Sequence, residues 1–99
     1  MSAGEHAYVV VYDIASASRW RSIFRTMKGY GEWLQLSVFQ CRLDPTRHAE
    51  MVAMLDQIID HDDDHVVVLD LGVADSVAPK VISLGKRGFE PIERNVVVV

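Results

Sequence analysis

Residues 33–43 read Trp33-Leu34-Gln35-Leu36-Ser37-Val38-Phe39-Gln40-Cys41-Arg42-Leu43, and the alternation of apolar and polar residues changes parity partway along. Leu36 and Val38 are apolar at even positions, with Gln35 and Ser37 around them. Phe39, Cys41 and Leu43 are apolar at odd positions, separated by Gln40 and Arg42. Strand side chains repeat with a period of two, so one regular strand cannot keep both sets on one face. The break at Val38-Phe39 predicts a bulge or a tight reversal: two short strands, or one strongly kinked strand.

Upstream, residues 7–14 read Ala-Tyr-Val-Val-Val-Tyr-Asp-Ile. This near-continuous β-branched and aromatic run predicts a central strand covered on both faces, or on one face by a partner. Ser16 and Ser18 suit a helix N-cap. Trp20, Ile23, Phe24 and Met27 follow at i, i+3, i+4 and i+7, one apolar helical stripe. Gly29 is placed to end that helix in a left-handed conformation.

Downstream, Asp44-Pro45 predicts an N-cap with proline at the first helical position. Val52, Leu55 and Ile59, flanked by Met51 and Ile58, form the expected buried stripe of the second helix. Asp60 to His65 reads as a polar turn, and His65 to Leu71 as a strand ended by Gly72. A short strand is expected over 80–84, a turn over Gly85-Lys86-Arg87-Gly88, and a bare terminal strand over 95–99. The order is β-α-β-β-α-β with an additional C-terminal strand. It predicts an α+β, ferredoxin-like domain over residues 1–99: an antiparallel sheet with two helices on one face, and a flexible N-terminus over 1–6. The terminal Val96 to Val99 run has little interior to enter in so small a domain. The 89–99 segment is therefore expected to pair with a sheet edge of a partner subunit, through Val96 and Val98.

The 99 residues support one modest core. A single cysteine, Cys41, excludes an internal disulfide and suits a reducing cytosol. No apolar run approaches the ~20 residues of a membrane span, and the first residues lack the pattern of a signal peptide. A cytoplasmic protein is expected. The net charge of −4 argues against coating nucleic acid by bulk charge. Even so, Arg19, Arg21, Arg25 and Lys28 cluster in the first helix.

Few residues offer chemistry. Asp13, the one acid of the first strand, lies at its end beside a helix start. It suits either a loop cap or a ligand for Mg²⁺, which takes oxygen donors and keeps several waters. Two such carboxylates brought together by a two-fold axis make the second role stronger. Arg19, Arg21, Arg25 and the Lys86-Arg87 turn are candidate phosphate contacts, with a solvated surface as the plainer alternative. His61-Asp62-Asp63-Asp64-His65 matches no structural zinc spacing and reads better as a solvated turn. Tyr12 reads as core and, beside Asp13, as a candidate interface residue. Cys41 lacks an evident base and sits on the apolar parity of its strand, so a nucleophilic role is not expected. No phosphate loop, dinucleotide fingerprint or nucleophile elbow occurs, so hydrolysis would have to use a metal and its water.

Three features together resemble the second CRISPR-associated protein family, the small partner of the spacer integrase. They are Tyr12-Asp13-Ile14 closing the first strand, Gln35-Leu36-Ser37-Val38-Phe39-Gln40-Cys41, and the run from Asp64 to Leu71. The resemblance covers about residues 7–84. It implies a homodimer in which Asp13 of each subunit faces a two-fold cleft and binds Mg²⁺ or Mn²⁺, with Ser37 and Phe39 near the interface. It further implies an endonuclease of spacer acquisition acting on RNA or DNA, or a non-catalytic DNA-holding subunit that bridges the integrase. A related RNA-cleaving toxin-like protein is a third reading. A ferredoxin-like small-molecule sensor is disfavoured, because only Gly29-Tyr30-Gly31 and the 85–88 turn approach a glycine-rich ligand loop.

Overall fold

A computed structural model describes residues 4–77 together with 82, 84 and 85. The elements are β1 (His6–Asp13), α1 (Ala17–Lys28), β2 (Gly31–Gln35), β3 (Val38–Leu43), α2 (Pro45–Ile58) and β4 (His65–Val73), followed by a 3₁₀ turn over Ala74–Ser76. Each helix starts as its sequence dictates. Ser16 Oγ accepts the Arg19 N–H at 3.2 Å and Asp44 Oδ1 accepts the Arg47 N–H at 2.8 Å, each satisfying an otherwise orphaned donor. The end of α1 differs from expectation. Gly29 is right-handed (φ −84°), because the last turn tightens: the Gly29 N–H meets the Thr26 carbonyl and the Tyr30 N–H meets the Met27 carbonyl.

The strands form one antiparallel sheet in the order β2-β3-β1-β4. This is the α+β, ferredoxin-like arrangement. The parity break resolves into two strands joined by the two-residue turn Leu36-Ser37, with a register irregularity between Trp33 and Gln35. The reversal therefore comes just before the boundary marked by the alternation. Leu36, counted above with the apolar set, is 71% exposed at φ +35°. Gly31, which the sensor reading would place in a ligand loop, is instead pressed against β3. A Cβ there would meet the Gln40 carbonyl and lie 2.6 Å from Cys41 Sγ.

Both helices pack on one face of the sheet. Tyr8, Val10 and Tyr12 of β1 and Phe39, Cys41 and Leu43 of β3 meet Ile23 and Met27 of α1 and Met51 and Leu55 of α2. The buried line of α2 is thus Met51 and Leu55; Val52, expected on that stripe, is exposed. Burial pushes the Cys41 thiol up to about 12, which keeps it protonated and unreactive at neutral pH. The opposite face carries Val9, Val11, Val67 and Leu69, and no described element covers it. β4 runs two residues past Leu71, with Gly72 at φ +108° beside a bulge between Ala7 and Tyr8. Of the strand expected over 80–84, Ile82 and Leu84 are described; both are exposed and neither lies in a strand. The expectations for Lys86, Arg87, Val96, Val98 and the C-terminal strand lie outside the described residues.

Candidate metal and nucleic-acid site at one end of the sheet

Three connections meet where β1 ends. The β2–β3 turn is fastened by the Tyr12 N–H, which donates to the Ser37 carbonyl at 3.1 Å, and by Trp20 Nε1, which donates to Ser37 Oγ at 2.9 Å. Trp33 Nε1 donates to the Leu36 carbonyl at 3.1 Å. The α2–β4 turn is fastened by Asp64. Its carboxylate accepts the Ala15 N–H at 2.8 Å, the Asp60 N–H at 2.8 Å, Arg19 Nε at 2.7 Å and Arg19 Nη2 at 3.1 Å. The Asp64 side chain has no solvent exposure, and the Arg19 bonds hold its carboxyl well below the usual carboxylate range.

Asp13 sits at the centre of this arrangement and takes no part in it. It is exposed, and its β4 neighbour is His65. The cap reading does not hold, because Ser16 caps α1 and Asp64 ties the loop. Among the described residues the Asp13 carboxylate has no hydrogen-bond or ion-pair partner, so it is free to hold a ligand.

The candidate cations divide. Arg19, expected at phosphate, is spent on Asp64 in a bidentate pair, a structural role that its place on the helix did not reveal. Arg21 and Arg25 are exposed and without a polar partner among the described residues. Lys28 lies over the Phe24 ring, 5.4 Å from its centre. The interface expectation fails for two side chains. Phe39 is fully buried in this chain's own core, and Tyr12 is buried against the Trp20 and Phe39 rings, because both point to the helix side of the sheet. Ser37 is engaged by Trp20. In the His61–His65 run, His61 pairs with Asp56 at 2.8 Å, and Asp60 accepts the Asp62 N–H at 2.9 Å. The run is less solvated than expected, since the Asp64 side chain has no solvent exposure. No group of three His, Cys, Asp or Glu side chains converges on a metal-sized site among the described residues. A metal at Asp13 would therefore need at least part of its donor set from water, substrate or a second subunit.

Sequence reasoning missed the Asp64–Arg19 clamp and the place of His65 beside Asp13. Both depend on how β1 and β4 pair, and only the cross-strand register fixes that.

Comparisons with known proteins agree with this architecture. The family model described as CRISPR associated protein Cas2 matches residues 6–76. A Rhodospirillum rubrum protein named CRISPR-associated endoribonuclease Cas2 1 is 56% identical over 98 residues, covering 99% of this chain and 95% of that protein. A Geobacter sulfurreducens protein named CRISPR-associated endoribonuclease Cas2 is 56% identical over 95 residues, covering 96% of this chain and 99% of that one. The crystal structure of Streptococcus pyogenes Cas2 superposes with a TM-score of 0.63 at 30% identity, over 67% of this chain and 86% of that chain. A Thermus thermophilus protein solved as a hypothetical protein superposes with a TM-score of 0.70 at 31% identity, over 84% of this chain and 94% of that one. The chain belongs to the Cas2 family of CRISPR-associated proteins.

Proposed function

We propose that this chain is a divalent-metal-dependent endoribonuclease of the spacer-acquisition stage of CRISPR defence, with Asp13 as the metal ligand. The carrying observation is that Asp13 is exposed at the meeting point of three fastened connections and engages none of them. The relatives named as endoribonucleases favour RNA over DNA as substrate. The donor chemistry fits: a carboxylate at a strand end suits Mg²⁺ or Mn²⁺. When bound there, such an ion stabilises charge on the scissile phosphate and acidifies a water. The chain's own residues bind and orient. Asp13 holds the ion, and Arg21 and Arg25 contact backbone phosphates from the exposed face of α1.

The working unit is a homodimer. The uncovered sheet face, with Val11 at 37% and Leu69 at 47% exposure, suits a second copy of this sheet. Asp13 projects from the same face as Val9 and Val11, so a two-fold stack of these sheets would bring it toward its counterpart. Interface residues are then Val9, Val11, Val67 and Leu69 rather than Tyr12 and Phe39.

The test is RNA cleavage in Mg²⁺ and in Mn²⁺ by the intact protein and by Asp13→Ala. Loss of at least about a hundredfold in rate, with melting temperature and oligomeric mass unchanged, is expected. Retained cleavage overturns the assignment and leaves the non-catalytic reading, in which the protein holds DNA for an integrase subunit.

A further inference from the structure

Asp13 and His65 close neighbouring strands at the same sheet end and are direct partners in the β1–β4 register. Directly opposed residues of an antiparallel pair project from one face, with Cβ atoms roughly 5 Å apart. Both are exposed, and among the described residues neither the carboxylate nor the imidazole has a hydrogen-bond or ion-pair partner. The other histidine of this turn differs: the His61 ring is held 2.8 Å from Asp56. The backbone on both sides of the pair is pinned by one group. Asp64 directly precedes His65, and its buried carboxylate accepts the N–H of Ala15, two residues beyond Asp13. The spacing of Asp13 and His65 is therefore preset while both side chains stay free.

We propose that His65 is a second protein ligand beside Asp13, and that this mixed oxygen and nitrogen pair makes the site favour a transition-metal ion such as Mn²⁺ over Mg²⁺. The inference rests on the metal reading of Asp13 above. Mg²⁺ takes oxygen donors and waters, so a neighbouring imidazole adds little to its binding. Imidazole is a good donor to divalent transition ions, so the same ring adds a bond for them. The pair in one chain makes a partial site. Two pairs across a homodimer would supply four protein donors, more than converge in the single chain among the described residues.

The experiment is metal binding to the whole protein without RNA, measured by calorimetry with MnCl₂ and MgCl₂ and by the free Mn²⁺ electron-spin signal. The variants are His65→Ala, His65→Asn, Asp13→Ala and His61→Ala, each checked by thermal melting. Expected is a loss of at least about tenfold in Mn²⁺ affinity for both His65 variants, with a change below about twofold for Mg²⁺. Asp13→Ala weakens both ions, and His61→Ala changes neither. Parental Mn²⁺ affinity in the His65 variants with loss in Asp13→Ala overturns the role of His65 and leaves the Asp13 reading standing. An equal loss in His61→Ala also overturns it, since binding would then follow surface histidines in general. Unchanged binding in Asp13→Ala removes the metal reading itself.

Discussion

Asp64 shows how much one residue carries at this sheet end. Four donors converge on a carboxylate with no solvent exposure, and the group is held ionised by Arg19. Its carboxyl is more acidic in the folded chain than in the unfolded chain, where it lies near 3.8. The stabilisation is therefore present above that value and is lost as pH falls below it toward the folded value. Thermal melting should place Asp64→Asn several degrees below the parent at neutral pH. The gap should narrow as pH is lowered from about 5 to about 2. A gap independent of pH would mean that shape rather than charge holds the turn. Tyr12 presents the opposite case. Its hydroxyl is buried without a partner among the described residues, and burial drives its ionisation far above the usual phenol range. An unsatisfied buried polar group costs about 1–3 kcal/mol. Tyr12→Phe should accordingly melt no lower than the parent, and higher by up to about 1 kcal/mol of stability.

At the scale of the element, α2 separates its apolar residues into two kinds. Met51 and Leu55 are buried, whereas Val52 and Met54 are exposed. Leu55→Ala should cost about 2–5 kcal/mol through lost burial and a residual cavity. Val52→Ala should stay within about 0.5 kcal/mol, since valine at an exposed helix site gains nothing from packing and has the poorer helix propensity. Denaturant titration of the two variants measures this difference; equal losses would put Val52 back on the packed face. The spacing of Val52, Leu55 and Ile59 was a valid helical stripe, but Met51, Leu55 and Ile58 form another, about one residue around the helix. Hydropathy alone does not choose between them; the angle at which α2 crosses the sheet does. The β2–β3 connection shows a similar limit. The change of parity marked a reversal, and two indole N–H groups and one backbone N–H set where it falls.

For the whole molecule, the dominant fact is a sheet with helices on one face and apolar residues on both. Val9, Val11, Val67 and Leu69 lie in adjacent register across the two strands β1 and β4. Leu69→Asp places a charge in the middle of that patch. It should shift the solution mass from dimer toward monomer at micromolar protein, read by light scattering after size exclusion, with the melting temperature of the monomer preserved. An unchanged mass would mean that subunits meet elsewhere. Charge points the same way at this scale. The total of −4 and the engagement of Arg19 by Asp64 leave Arg21 and Arg25 as the exposed, unpartnered cations of α1 among the described residues, so phosphate contact from this helix would be local and its salt dependence shallow.

Periodicity and capping residues were enough to determine the order β-α-β-β-α-β through β4, both helix starts, a break within residues 33–43 and the α+β plan, because these depend on neighbours a few positions apart. The stretches Tyr12 to Ile14, Gln35 to Cys41 and Asp64 to Leu71 together were enough for the family. Asp13 was legible as the one acid closing the first strand. What the sequence could not determine was which groups stay free at that strand end. Arg19 looked like a phosphate contact, Asp64 like a solvated turn residue and Tyr12 like a candidate for the interface. Tertiary packing reversed all three, because a charge is available only if no folded neighbour claims it, and a ring reaches a partner only if its own core does not bury it. Those neighbours lie 45 positions away in the case of Arg19 and Asp64. The register that sets Asp13 against His65 is decided the same way: the β1–β4 pairing crosses an entire helix-hairpin-helix, and only the packed core fixes which residues end up opposed.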